Sequence, residues 1–340
     1  MVNPTNNKKA SILIIALWSL FLLTVFAVQL GFGVRQKLTL TKRLEERAQL
    51  YSIAEAGARK AIALMLKETE KKSHALKEPW SNNPDYFKMI KVGDGMGNIC
   101  YNAGTQQQSV AEALRYGIVD EERKININKS DIRVLSRIFI AAGVLDEEHA
   151  QELAASIIDW RDADSALSLS MGSAEDAYYK NLKYPYDAKN ADFEVLDELL
   201  LVKGMTQALF DRISPFLTVY GNGKININTA SRESLLAIGF SEDMAEKILL
   251  LRNGKDGLEA TEDDEVFASA ADIVPMVSEA YNLGPAEVAY VSALVESSLQ
   301  VQASNFKIRS VAVLRSGRNT AEVNCVISKK GKILYWRQVS

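Results

Sequence analysis

The stretch ASILIIALWSLFLLTVFAVQLGFGV, residues 10–34, carries no charged side chain and comes directly after Lys8 and Lys9. A helix rises about 1.5 Å per residue, so roughly 20 residues cross a hydrocarbon core about 30 Å thick. A secretory signal peptide is the alternative, but its apolar region is usually about 7–15 residues long and ends at a small-residue cleavage site. The stretch therefore predicts a retained helix that spans a membrane.

The pattern that follows predicts that this helix continues into water. Residues 35–72 contain no proline and a single glycine, Gly57, and apolar residues recur at helical spacing among Arg, Lys and Glu. We therefore predict one helix over residues 11–72. Lysines and arginines flank the apolar stretch on both sides, so the positive-inside rule gives no orientation.

The rest of the chain has the composition of a soluble protein, with 47% hydrophobic residues, 24% charged residues and a net charge of −3. It is long enough for one large or two ordinary domains. The near-neutral charge argues against electrostatic binding of nucleic acid. His74 and His149 have no metal-ligand spacing and no evident nucleophile, and the sequence has no glycine-rich phosphate loop, so it predicts a protein that is not an enzyme.

An internal echo organises the second half of the chain. The segment KININ occurs at residues 124–128 and again at 224–228. Each copy reads as a strand followed by a capping serine and a helical hairpin, and a third hairpin is predicted over residues 193–217. From residue 299 the apolar residues alternate with period 2, which predicts a meander of three strands.

These patterns together predict an α+β fold. A sheet domain formed by residues 73–127 and 299–340 follows the long N-terminal helix. It is interrupted by an inserted, mostly helical domain of hairpins, residues 128–298.

The hairpins favour one alternative function, a membrane-anchored DNA receptor of the helix-hairpin-helix type. Such hairpins present backbone amides to phosphate through a Gly-hydrophobic-Gly turn. Here the turns at Gly143, Gly204 and Gly239 lack the second glycine. Acidic residues follow the turns at Gly143 and Gly239. Because these carboxylates repel phosphate, we favour a function without nucleic acid.

Two acidic loops are candidate cation sites, since calcium takes 6–8 oxygen ligands at roughly 2.3–2.6 Å. Neither loop has the EF-hand pattern, and spacing alone favours solvated loops or helix caps. The candidate ligands are Asp159, Asp162, Asp164, Glu175 and Asp176 in the first loop, and Asp256, Glu259, Glu262, Asp263 and Asp264 in the second.

The chain has two cysteines, Cys100 and Cys325, one near each end of the soluble part. In an oxidising compartment they can join the terminal strands of one domain by a disulfide, and otherwise they are two buried free thiols. We favour the disulfide.

Several segments resemble the type II secretion system minor pseudopilin K (GspK) family in their order and spacing, nearly from end to end. The most specific segments are IDWRDAD at 158–164, AEDAYY at 174–179, ELLLVKGM at 198–205 and ININTAS at 225–231, together with AEAG at 54–57 on the long helix.

The resemblance implies how the chain is processed and placed. Residues 1–10 are a leader that a prepilin peptidase removes on the cytoplasmic side by cutting between Ala10 and Ser11; most family members have Gly at the position of Ala10. The helix then anchors a pilin-like domain in the inner membrane with the soluble part in the periplasm. Ile15 occupies the fifth mature position, where most pilin-like subunits have a Glu that pairs with a neighbour inside lipid. A subunit without this Glu suits the tip of a filament.

The resemblance also implies partners and a cofactor. The partners are the minor pseudopilins of the I and J classes and the major pseudopilin, and the role is to cap and initiate a short pseudopilus that drives folded proteins across the outer membrane. A minor subunit of a type IV pilus is a related alternative. Family members bind calcium, which favours the acidic loops as calcium ligands.

Overall fold

The computed structural model describes residues 6–68, 70–103, 114–170, 172–314, 317 and 319–339. Helix α1 spans Asn6–Met65 and continues as a 3-10 helix, Leu66–Glu68, so the prediction of one long helix is confirmed although the helix ends before residue 72. Its apolar first half is exposed to solvent, and the residues from 11 to 65 include a stretch long and apolar enough to cross a membrane. Residues 1–5 of the predicted leader lie outside the described residues.

The second half of α1 packs on an antiparallel sheet. The sheet has the strand order β1-β2-β10-β11-β12, and β5 also pairs with β10. Ala54, Ala58 and Ala61 of α1 are fully buried against this sheet, because small side chains let the helix lie close to the strands. The strands are β1 Ile90–Val92, β2 Gly95–Ile99, β5 Val119–Asp120, β10 Asn305–Leu314, β11 Thr320–Ser328 and β12 Ile333–Val339.

Shorter elements complete the described chain. The meander predicted from residue 299 corresponds to β10, β11 and β12 and is confirmed. The remaining elements are α2 Pro84–Phe87, β3 Tyr101–Asn102, β4 Leu114–Arg115, β6 Ile125–Asn126, α3 Ile132–Ala141, α4 Glu147–Arg161, α5 Asp176–Tyr179, α6 Gln207–Ile213, β7 Leu217–Thr218, β8 Ile225–Asn226, α7 Arg232–Ile238, α8 Glu242–Arg252, α9 Ala270–Tyr281, α10 Pro285–Ser298 and β9 Leu299–Gln300.

The helical domain consists of two copies of one structural unit, as the KININ echo indicates. In the first unit β6 pairs in parallel with β7, and in the second β8 pairs in parallel with β9. Asn128 exchanges two hydrogen bonds with the backbone of Phe193, and Asn228 does the same with Phe267. The structure thus shows that β6 belongs to the helical domain and not to the sheet, where the sequence placed it.

An arginine ends the second helix of each hairpin and holds the loop that precedes the hairpin. Arg161 donates to the backbone oxygens of Ile127 and Ser130. Arg252 donates to the corresponding oxygens of Ile227 and Ala230. Each unit is therefore closed by the same clamp.

Three consecutive buried acids join the sheet to both units. Asp120 accepts hydrogen bonds from Asn226 and Thr229 of the second unit. Glu121 accepts from Lys124 and from Thr218 of the first unit. Glu122 accepts from the backbone N–H groups of residues 304 and 305 at the start of β10. Each acid is at most 2% exposed, so this tripeptide is an internal junction.

The prediction of a disulfide between Cys100 and Cys325 is wrong, because both thiols are buried and free. Strand β10 lies between the strand that Cys100 follows and the strand that contains Cys325: the N–H of Cys100 bonds to Arg309, whereas Cys325 pairs with Ile308. Neighbouring strands lie about 4.8 Å apart, so the two cysteines are separated by roughly twice that spacing, beyond the Cα distance of about 7 Å that a disulfide spans. Cys325 belongs to the core beneath α1. Burial raises the pKa of the Cys100 thiol, and the nearby Arg309 acts against this rise.

Candidate functional site: a carboxylate cluster

The first acidic loop begins where α4 ends and returns to the start of α5. Asp162 leaves the helix with extended backbone angles, φ −76° and ψ 165°, and Glu175 caps the N-terminus of α5. Trp160 on α4 and Tyr179 on α5 pack edge to face with ring centroids 5.1 Å apart. This aromatic contact holds the two ends of the loop together.

Three carboxylates converge in this loop. Asp162, Asp164 and Glu175 each offer an oxygen that lies within 4.8 Å of the other two. Asp159, on the last turn of α4, is fully buried, and its Oδ1 accepts a hydrogen bond from the Ser168 N–H at 2.9 Å. We call these four residues the carboxylate cluster.

In the part of the chain that the structure describes, no hydrogen-bond donor reaches three buried oxygens of the cluster. They are Oδ2 of Asp159, Oδ1 of Asp162 and Oε1 of Glu175. A buried polar atom without a partner costs free energy, and the cost is larger for a charged group. A bound cation would give these oxygens a partner.

The pKa values of the cluster carboxyl groups also favour a bound cation. Burial raises the pKa of Asp162 above its usual value, and the nearby carboxylates of Asp164 and Asp159 raise it further. Burial also raises the pKa of Glu175, against the hydrogen bond that this residue accepts from the Asp176 N–H, and again the neighbouring carboxylates add to the rise. The cluster repels its own negative charge, and a bound cation relieves that repulsion.

The donor set selects the kind of cation. All four side chains offer carboxylate oxygens, which suit hard cations such as calcium rather than metals that prefer thiolate or imidazole. Four carboxylates do not exhaust the 6–8 oxygens of a calcium shell, so carbonyl oxygens and waters complete such a shell. The residues present therefore fit calcium.

Asp176, also predicted as a ligand, does not join the cluster. Its Oδ2 pairs with Lys180 at 2.7 Å, and its Oδ1 accepts a hydrogen bond from the Ala188 N–H at 2.8 Å. Both of its oxygens have other partners, because a lysine lies one helical turn further along α5. Asp176 as a calcium ligand stays a prediction that these contacts do not support.

In the second acidic loop the carboxylates have other partners. Glu259 pairs with Arg252 at 2.5 Å and with Arg115 of β4 at 3.3 Å. Asp263 accepts from the N–H groups of residues 255 and 256, and Asp264 accepts from those of residues 260 and 261. In the described part of the chain these residues, with Asp256 and Glu262, form no convergent group of the kind seen in the first loop.

The second loop contacts the segment that precedes the helical domain. Besides the pair between Arg115 and Glu259, Lys77 donates from Nζ to the backbone oxygen of Asp264 at 2.6 Å. Lys77 and Arg115 lie far from this loop in sequence, so no local signal predicts these contacts. The loop therefore joins the two domains, and its role as a metal site stays a prediction.

The architecture defines a class of protein. The helix α1 is apolar and exposed in its first half and packs on an antiparallel sheet in its second half. This is the plan of a pilin-like fold, here with an inserted helical domain. The fold matches one chain in the crystal structure of the GspK-GspI-GspJ complex from enterotoxigenic Escherichia coli, with a TM-score of 0.63, 16% identity and coverage of 88% of this chain and 99% of that chain.

Sequence comparisons show which family this chain is similar to. A family model described as type II secretion system protein K matches residues 108–222, which include the carboxylate cluster. Type II secretion system protein K of Aeromonas hydrophila is 28% identical over 58% of this chain, and that of Pseudomonas aeruginosa is 27% identical over 68%. The matched regions span 56% and 69% of those two relatives. Over these matched regions the chain resembles the type II secretion system protein K family.

Proposed function

We propose that this protein is a minor pseudopilin of the type II secretion system, anchored in the inner membrane with its soluble part in the periplasm. The observation that carries the proposal is α1, a continuous helix whose exposed apolar half leads into the buried core of the sheet domain. Such a helix lets a subunit leave the bilayer and enter a filament while its helix stays intact. The role is assembly and not catalysis.

Two features support a place at the tip of the pseudopilus, where assembly begins. Ile15 lies on the exposed apolar part of α1 and offers no carboxylate to a subunit above it. The helical domain adds bulk to the sheet domain that a closely packed shaft would have to accommodate at every repeat. A tip position requires neither a second axial neighbour nor that space.

The proposed partners are the I-class and J-class minor pseudopilins, since the chain that shares this fold was solved in a complex with GspI and GspJ. The partner helices would pack on the exposed apolar half of α1. A prepilin peptidase would first remove residues 1–10 by cutting between Ala10 and Ser11. Export of folded proteins would follow from pseudopilus growth.

We propose further that the carboxylate cluster binds calcium. Asp159, Asp162, Asp164 and Glu175 would hold the ion, and its charge would offset the repulsion among them. Because these residues lie at the end of α4 and the start of α5, the bound ion would tie the two helices together. The membrane anchor is remote from this site.

A DNA receptor is the second candidate. The helical hairpins favour it, but their turns lack the second glycine of the DNA-binding type. The helices that follow the turns at Gly143 and Gly239 begin with acids: Glu147 and Glu148 in α4, and Glu242 and Asp243 in α8. These carboxylates occupy the helix N-termini at which a phosphate would bind. The assembly function therefore has the stronger support.

The proposal is tested by expressing the full chain with a tag, together with I-class and J-class minor pseudopilins, and purifying it from detergent-solubilised membranes. We expect both partners to co-purify, and mass spectrometry of the mature N-terminus to begin at Ser11. A chain that is retained at full length or cut beyond Gly31, or that purifies without either partner but binds duplex DNA in a salt-dependent manner, would overturn it.

A further inference from the structure

The segment LVKGM, residues 201–205, is one of the most specific parts of the family resemblance, and the function proposed above gives it no role. It forms the turn of the third hairpin, just before α6. Gly204 has a φ of +86°, which favours glycine, and its Cα faces Leu153 of α4. The turn therefore lies against the helix that ends at the carboxylate cluster.

Lys203 connects this turn to the loop that carries Glu175. Its Nζ donates to the backbone oxygen of Gly172 at 2.9 Å and lies 3.4 Å from that of Ser173. Its own N–H donates to the hydroxyl of Tyr179 on α5 at 3.2 Å. One lysine thus binds the chain on both sides of Glu175.

The loop has little freedom at the place where Lys203 holds it. Gly172 has a φ of +107°, and a Cβ at this position would lie 2.6 Å from Cγ of Glu152 on α4. The Ser173 hydroxyl donates to the backbone oxygen of Leu169 at 2.9 Å. Loss of the ammonium would leave the two carbonyls of residues 172 and 173 without this donor, two and three residues before the Glu175 carboxylate.

The charge of Lys203 is not used in an ion pair in the part of the chain that the structure describes. Its ammonium instead lies 5.1 Å from the centre of the Tyr178 ring. A lysine that bonds to carbonyl oxygens and leaves the nearby carboxylates alone does not compete with a cation for them. It can hold the loop in place whether or not the cluster is occupied.

We propose that Lys203 is the positioning residue of the carboxylate cluster: it fixes residues 172 and 173 so that the Glu175 carboxylate faces Asp162 and Asp164. This inference rests on the proposed calcium binding. It also gives the third hairpin a role, because the turn carrying Lys203 then controls the affinity of the site. Residues that orient metal ligands in this way typically change metal affinity by about 10–100-fold.

The test compares Lys203→Met, Lys203→Arg and Lys183→Met in the full chain, purified in detergent and stripped of metal. Lys183 is a matched control, since its ammonium also lies over a tyrosine ring, that of Tyr184, at 5.3 Å, but it is exposed. Calcium titration calorimetry gives the Kd, and thermal unfolding without calcium gives the Tm.

We expect Lys203→Met to raise the calcium Kd by about 10–100-fold, Lys203→Arg to recover most of the affinity, and Lys183→Met to leave it unchanged. A Lys203→Met protein with a lower calcium-free Tm but a wild-type Kd has lost only a structural contact, and that result overturns the inference. If Lys203→Met does not fold, Lys203→Gln takes its place with the same expected direction. Wild-type protein that binds no calcium instead refutes the proposed metal site itself.

Discussion

Gly117 occupies a place where the structure leaves no room for a side chain. Residues 116–118 run beside residues 80–83, joined by hydrogen bonds from Ile118 N–H to the Trp80 oxygen at 2.8 Å and from Asn83 N–H to the Tyr116 oxygen at 2.7 Å. A Cβ on residue 117 would lie 2.0 Å from the backbone oxygen of Ser81. No positive φ is involved at this glycine, so the effect of Gly117→Ala is steric.

The cost follows from the distances. A carbon and a carbonyl oxygen normally lie about 3.3 Å or more apart, so the two segments must separate by roughly 1.3 Å. Both hydrogen bonds would then lengthen to about 4 Å and be lost. Each loss costs about 1 kcal/mol, and up to about 3 kcal/mol where a buried group stays unpaired. For two such bonds we expect Gly117→Ala to lower the free energy of unfolding by about 2–6 kcal/mol.

Urea unfolding of the full chain in detergent, followed by tryptophan fluorescence, measures this loss, and the buried Trp80 reports on the site itself. Gly97→Ala is the control, because the nearest atom to its new Cβ lies at 3.7 Å, an ordinary contact. We expect the control to stay within about 1 kcal/mol of the wild type. A Gly117→Ala protein as stable as the control would refute the reasoning.

Three further predictions concern the cluster, the junction and the thiols. Calcium at about 100 times its Kd should stabilise the protein by about 2.7 kcal/mol, and Asp162→Asn should greatly reduce this gain in thermal unfolding; an equal gain in the variant contradicts the site. Burial and the neighbouring Asp120 raise the pKa of Glu122 from 4.5 to about 8, so the folded state keeps a proton that the unfolded state releases. The contribution of Glu122 to stability should therefore be fully present below about pH 4.5 and be lost as the pH rises to about 8. Unfolding of Glu122→Gln should show a flatter pH profile over that range, and an unchanged slope would contradict the prediction. Cys100 and Cys325 are buried free thiols, so both should react with a thiol reagent once the protein is unfolded without reductant, and neither should react in the folded protein. Mass spectrometry counts the labels. An unlabelled protein whose mass is two hydrogens below that of the reduced chain would mean a disulfide.

The sequence predicts those features of the fold that depend on local pattern. The long helix follows from a charge-free stretch and the absence of proline, and the two KININ segments indicate the duplicated units. The pairing of β6 is not predictable in this way, because its two-residue parallel bridge to β7 joins segments about ninety residues apart. The acids 120–122 look like a solvated charge run in sequence, and only their partners from three parts of the chain explain their burial.

The candidate site is predictable in part. Resemblance indicates Asp162, Asp164, Glu175 and Asp176, whereas spacing alone favours solvated loops. Asp176 and Glu259 have the same charge as these residues, but a lysine or arginine lies within reach of each. The identity of the neighbours decides which carboxylates stay available, and those neighbours are set by tertiary structure.

The matching clamps of Arg161 and Arg252 show that the two units of the helical domain share one scaffold. The two units differ in the loop that follows the arginine. The loop after Arg161 contains the carboxylate cluster, and the loop after Arg252 contacts Lys77 and Arg115 of the segment before the helical domain. Because the clamp holds each unit from its backbone, the loop that follows can differ between the two units without loss of the fold. The chemistry of the domain is thus modular, carried by exchangeable surface segments on a frame that appears twice.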